Sequence, residues 1–167
     1  GTFHLLDLTP TPDPDDPDLA MFRNDRGALQ STIAARLADE GKRPTPVLIE
    51  REIARIERLD AALSAIEAIT DSGGTAYYYP VDLTDSGNVA EALARVRERS
   101  GRIDVLVHAA GLEISRNLPD KEAGEFNLVF DVKATGWFNI WRAVQDLEIG
   151  AVVVFSSVAG RFGNQGQ

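Results

Sequence analysis

There is no cysteine among the 167 residues, so disulfides, thiolate metal sites and a cysteine nucleophile are excluded. Histidine is almost as scarce. His4 and His108 are the only two, and they cannot by themselves build a metal site. Long apolar runs are missing as well: a stretch such as Ala151 to Phe155 falls far below the roughly 20 residues of a membrane helix. No charged-then-apolar leader opens the chain. Positive charge is in short supply, with 17 Lys and Arg against 26 Asp and Glu and a net charge of -9. Without a dense basic run, neither a nucleic acid nor a membrane is an expected partner. The remaining composition, 44% apolar and 26% charged, is that of about one globular domain, and its expected location is the cytoplasm.

What is present is an alternation of short apolar strands and amphipathic helices. Thr2 to Leu6 reads as a strand closed by Asp7, and Thr9 to Asp18, crowded with proline and aspartate, reads as a solvated loop. From Leu19 one helical face carries Phe22, Leu29, Ile33 and Leu37, with Gly41 as the stop. A second helix begins beyond Pro46 and runs to about Thr70. Ile49, Ile53, Ile56, Leu63 and Ile66 line one side; Glu50, Arg51, Glu52, Arg55, Glu57 and Arg58 form a solvated face of opposite charges able to pair along the helix.

Thr75 to Val81 is the next expected strand. Asp85 or Ser86 caps a helix carrying Val89, Leu93 and Val96, and Gly101 ends it before a strand at Ile103 to Val107. A long helix is expected from about Lys121 to Leu147, bent near Gly136, followed by a strand at Ala151 to Phe155. Continuous apolar strands joined by helices imply an α/β fold whose parallel sheet is covered on both faces. Pro80 fits if its strand lies at an edge or if it sits on the outer side. The surplus from about residue 18 to 70 reads as a helical insertion in a single domain spanning 1–167.

Ligands collect at the carboxyl ends of strands in such sheets, and three strand ends turn small or polar: Val81-Asp82-Leu83-Thr84, Val107-His108-Ala109-Ala110-Gly111 and Phe155-Ser156-Ser157-Val158-Ala159-Gly160. Small residues at Ala109, Ala110 and Gly111 let a flat cofactor approach the backbone. In their order these segments resemble the short-chain dehydrogenase/reductase family. Asp82-Leu83 resembles its adenine-contacting acid, His108-Ala109-Ala110-Gly111 its Asn-Ala-Ala-Gly segment with His for Asn, and Ser156 to Gly160 its catalytic-serine strand end. Asp131-Val132-Lys133-Ala134-Thr135-Gly136-Trp137-Phe138-Asn139 narrows the resemblance to ketoreductase domains of polyketide and polyunsaturated-fatty-acid synthases. Those place Lys in the long helix and Tyr-x-x-x-Asn later, where most of the family has Asn and Tyr-x-x-x-Lys.

The resemblance implies a Rossmann-like, doubly wound sheet and hydride transfer to a ketone. Ser157 would donate a hydrogen bond to the ketone oxygen, and Lys133 would lower the pKa of a tyrosine expected a few residues past Gln167 while orienting the nicotinamide ribose. The implied cofactor contacts are Asp7, Asp82, Leu83, His108, Ala109, Ala110, Gly111 and Lys133. The family's Gly-rich turn has no counterpart, because Gly73-Gly74 precedes a strand. Gly1 to Asp7 therefore aligns with the second strand, and in the order 3-2-1-4-5 the central strand is missing. The expectation is an internal fragment that does not fold stably alone.

Asp7 argues for NADH, since an acid there repels a 2'-phosphate. Synthase ketoreductases mostly use NADPH, and Arg23 or Arg26 could supply the phosphate contact, so NADPH is the expected cofactor and NADH its alternative. The implied substrate is a 3-ketoacyl group on the phosphopantetheine of an acyl carrier protein, with neighbouring synthase domains as further partners. The long helix with Trp137 and Trp141 is the kind of surface that the family uses for pairing as a homodimer, and the two rings are at least equally candidates for the core. Product stereochemistry stays open, because neither the Leu112-Glu113-Ile114-Ser115 stretch nor Phe162 carries a class signature. Two other readings remain: a structural ketoreductase-like subdomain, against which Lys133 together with Ser157 counts, and a free-standing alcohol dehydrogenase.

Overall fold

Short polar side chains, those of Asp16, Asp25, Thr45 and Asp85, cap four helix starts in the computed structural model, which describes residues 1–164. The chain separates into two compact units, Gly1–Pro80 and a second beginning at Val81.

In the first unit, β1 (Thr2–Asp7) pairs in parallel with β2 (Thr75–Pro80), Thr2 against Thr75 and Asp7 against Pro80. Pro80 is thus the last residue of its strand, where a missing amide interrupts no ladder. Three helices lie between: α1 (Pro17–Asn24), α2 (Arg26–Asp39) and α3 (Pro46–Asp71). Asp16 caps α1 and Thr45 caps α3, each followed by proline at the helix start, where its fixed φ fits and its missing N–H is not needed.

The single helix expected from Leu19 to Leu37 is broken at Asp25, so the insertion holds three helices rather than two. The Asp25 amide closes α1 on the Met21 carbonyl, and its carboxylate caps α2 by accepting the Ala28 amide at 2.9 Å. Apolar residues on both sides of the break still share one core: Leu19, Leu29, Ile33 and Leu37 pack with Ile53, Ile56, Leu59 and Leu63 of α3. That continuity is why periodicity alone did not mark the break. Arg36 grips the buried Asp18 through both nitrogens at 2.9–3.0 Å. The charged face of α3 pairs along itself at Arg55–Glu52 and also receives Arg23 of α1, which bonds Asp60, Ser64 and Glu67.

In the second unit, α4 (Ser86–Ser100) is capped by Asp85, which accepts the Gly87 and Asn88 amides, and ends at left-handed Gly101 (φ 70°). β3 (Arg102–His108) runs parallel to β4 (Glu148–Val154), with Arg102 against Glu148 and His108 against Val154. The strand expected at Ala151 starts three residues earlier, at Glu148. Gly150 allows this, since a Cβ there would lie 2.6 Å from the Asp104 carbonyl oxygen.

The long helix is shorter than expected. It comprises α5 (Ala123–Phe130), a five-residue π-helical turn (Asp131–Thr135) and α6 (Gly136–Ala143). The irregularity lies beside Gly136, as a π-helical turn ending at Thr135. α6 packs on α4, burying Val89, Leu93 and Val96 along with Ile140 and Val144. A short α7 (Ala159–Phe162) follows β4. The fold class is thus the expected one, parallel strands joined by helices. The strand pairs β1–β2 and β3–β4 are those that the order 3-2-1-4-5 places side by side, each forming its own two-stranded sheet among the described residues.

Candidate active site

The π-turn presents Lys133 to the ends of β3 and β4. Such a turn widens the helix by one residue and is found most often at functional sites. Within it the Gly136 amide is shared between the Asp131 and Lys133 carbonyls. His108, the last residue of β3 and only 2% exposed, donates from Nε2 to the Lys133 carbonyl at 3.0 Å. Its ring lies against Trp137, centroids 5.4 Å apart. The Lys133 side chain returns toward the strand ends, where Nζ donates to the Phe155 carbonyl at 3.3 Å. It passes close to Gly111: a Cβ there would stand 3.1 Å from Lys133 Cε and 3.4 Å from Nζ. Gly111 therefore makes room for Lys133 itself, a constraint separate from the approach of a cofactor.

Ser157 stands two residues past the carbonyl that Lys133 holds. It is exposed, and its Oγ accepts the Ala159 amide at 3.1 Å. That bond uses a lone pair and leaves the hydroxyl proton available to donate. Ala109 and Ala110 lie in the irregular segment after β3, Ala109 exposed and Ala110 half-buried.

Asp82 and Leu83 occupy the segment after β2. The exposed Asp82 carboxylate accepts both the amide and the hydroxyl of Thr84, at 2.8 and 2.7 Å. Buried Asn139 of α6 donates to the carbonyls of Leu83 and Thr84 at 2.9 and 3.3 Å, and Gly136 faces Leu83 so closely that a Cβ would lie 3.0 Å from the Leu83 Cβ. Sequence reasoning assigned no role to Asn139 or the Phe155 carbonyl, and it placed Trp137 at a pairing surface rather than against His108. The one available signal was an amide between Phe138 and Ile140 in an otherwise apolar stretch.

Asp7 belongs to the first unit, whereas the other candidate residues belong to the second. It accepts the Thr9 amide at 2.7 Å, while Tyr78 donates its hydroxyl to the Thr9 carbonyl at 2.9 Å. Burial, reinforced by the Asp7 charge, pushes the Tyr78 hydroxyl up to about 12. Arg23 is engaged by Asp60 and Glu67, and Arg26 sits over the Phe22 ring at 5.3 Å. Among the described residues no group of three or more His, Asp or Glu side chains is arranged to hold a metal, and no helix is long and apolar enough to cross a membrane.

The family model of the KR (ketoreductase) domain matches residues 26–167. The chain belongs to the KR domain family. This KR domain is 32% identical over 143 residues to a polyunsaturated fatty acid synthase from Thraustochytrium, covering 85% of the chain and 5% of that protein. It is also 32% identical over 115 residues to the 3-oxoacyl-[acyl-carrier-protein] reductase of Thermotoga maritima, covering 66% and 46%. The chain thus spans less than half the length of either relative. Among solved structures, a short chain dehydrogenase from Mycobacterium avium superposes with a TM-score of 0.56 at 30% identity, over 64% of this chain and 42% of that one. A dehydrogenase/reductase from Sinorhizobium meliloti reaches 0.58 at 24% identity, over 63% and 43%, a likeness of fold.

Proposed function

We propose that this KR domain reduces a 3-ketoacyl group carried on an acyl carrier protein to the 3-hydroxyacyl form, within a multidomain polyketide or fatty-acid synthase. The observation that carries the reading is the Lys133 ammonium brought by a π-turn onto the Phe155 carbonyl, two residues before Ser157. That is the end of a parallel sheet where substrates bind. Asp82, Leu83 and the Ala109-Ala110-Gly111 segment would hold a nicotinamide dinucleotide, which when bound would supply hydride to the ketone carbon. The Ser157 hydroxyl donates to the ketone oxygen as negative charge grows there. The Lys133 ammonium orients the nicotinamide ribose and holds down the pKa of the proton-donating tyrosine of the family's Tyr-x-x-x-Asn motif, which these 167 residues do not include.

Asp7 bears on the choice of nucleotide. Its carboxylate is anchored by the Thr9 amide, and Arg23, a candidate phosphate ligand, is held by two acids. Both features support NADH over the NADPH expected from the resemblance. Phe126, Phe130, Phe138 and Trp141, 42–57% exposed along the helical stretch, support pairing of two copies through it.

The test is oxidation of NADH and NADPH by the purified product of the whole open reading frame, with trans-1-decalone as ketone surrogate. Lys133→Ala and Ser157→Ala should each lower kcat by about 10²-fold or more. A folded protein that neither binds nor oxidises either nucleotide would instead be a structural brace.

A further inference from the structure

We propose that His108 is a positioning residue, whose ring N–H holds the Lys133 carbonyl and so sets where the Lys133 ammonium stands. The inference rests on the role proposed above for Lys133.

Three residues close a ring of hydrogen bonds. The Phe155 amide donates to the His108 carbonyl at 2.9 Å, Lys133 Nζ donates to the Phe155 carbonyl at 3.3 Å, and His108 Nε2 donates to the Lys133 carbonyl at 3.0 Å. One bond lies just past the end of β4, one is made by the Lys133 ammonium and one by the helical turn that carries it. A carbonyl only accepts, so Nε2 must bear the hydrogen. The bond is made by a side chain 2% exposed, where water cannot replace a lost partner.

The bond acts at the right atom. Fixing the Lys133 carbonyl, which also shares the Gly136 amide, fixes the peptide plane next to the Lys133 Cα and hence the direction in which its side chain leaves the π-turn. Three residues beyond His108, Gly111 confines the other end of the same side chain. The end of β3 therefore holds Lys133 at both its root and its tip.

Two substitutions separate hydrogen bonding from packing. His108→Phe keeps a ring against Trp137 and removes the donor; His108→Gln restores an N–H at about the same reach. In the whole protein, His108→Phe should lower kcat on the order of 10- to 100-fold, as a misplaced catalytic group does, with the ketone KM held within about twofold, since Lys133 does not touch the ketone. His108→Gln should recover most of that loss. Full kcat in the Phe variant, or a Gln variant as poor as Phe, would overturn the proposal.

A long-range ¹⁵N spectrum of the wild-type protein reads the contact without turnover. A slowly exchanging hydrogen on Nε2 of His108 supports it, and an Nδ1–H tautomer sinks it, whether or not the Phe variant folds. Wild-type protein that oxidises no nucleotide while showing the Nε2–H signal would defeat the reductase reading and leave the His108 contact standing.

Discussion

Replacing Gly111 with alanine adds a single methyl group, and the structure says where its effect goes. The new Cβ would lie 3.1 Å from Lys133 Cε and 3.4 Å from Nζ, inside the roughly 3.5–4.0 Å of an ordinary carbon contact. The backbone does not object, because Gly111 is not among the glycines with positive φ. At a compatible site the change even stabilises by about 0.4–1 kcal/mol through the unfolded chain. What must yield is the tip of a flexible side chain, by about half an ångström. The Lys133–Phe155 bond, at 3.3 Å, already lies beyond the usual range of about 2.7–3.2 Å, and such a push breaks it.

A misplacement of about 1 Å can cost about 10²-fold in rate, so half of that corresponds to about tenfold, or roughly 1.4 kcal/mol in the barrier. Gly111→Ala should therefore lower kcat about tenfold with no loss of thermal stability. In a Lys133→Ala background it should cost nothing further, since both changes act through one ammonium. Unchanged kcat in the single variant, or additive losses in the double variant, would refute the reasoning.

Other outcomes can be checked by equilibrium unfolding and pH titration. Gly136→Ala drives a Cβ to 3.0 Å from the Leu83 Cβ, an anchored atom with little room to yield, and should destabilise by about 1–3 kcal/mol as overpacking does. Leu29→Ala empties a fully buried position in the helical core and should cost about 2–5 kcal/mol in urea unfolding. Tyr78, held up at about 12 by burial and the Asp7 charge, keeps its proton when folded while the unfolded chain loses it near pH 10. Stability should thus be intact below about pH 10 and fall as the pH rises toward 12. The loss should be about 1 kcal/mol after discounting for partial exposure, and Tyr78→Phe should abolish this slope.

Helix and strand identities were legible in the sequence because they rest on short-range signals. Asp85 and Gly101 bracket α4, and the apolar runs at β1, β2 and β3 lie within a residue of where they were expected. Lys133, Ser157 and the strand ends around Asp82 and Gly111 could be singled out because chemistry of this kind is tied to residue types in a fixed order. The break at Asp25 was hidden, since apolar residues continue in phase across it. β4 began earlier than its apolar run because the ladder needs backbone amides and a close approach at Gly150, which apolarity does not encode.

The amino-acid sequence by itself determined most of the elements and marked the side chains that are candidates for chemistry, since periodicity, caps and residue types act over a few neighbours. Only the tertiary structure decided how the site is held. The π-turn at Asp131–Thr135 depends on which carbonyl each amide finds. The ring of His108, Phe155 and Lys133, and the reach of Asn139 to Leu83, join groups separated by 22 to 56 residues. Contacts of that range are set by how strands and helices pack, and no local pattern records them.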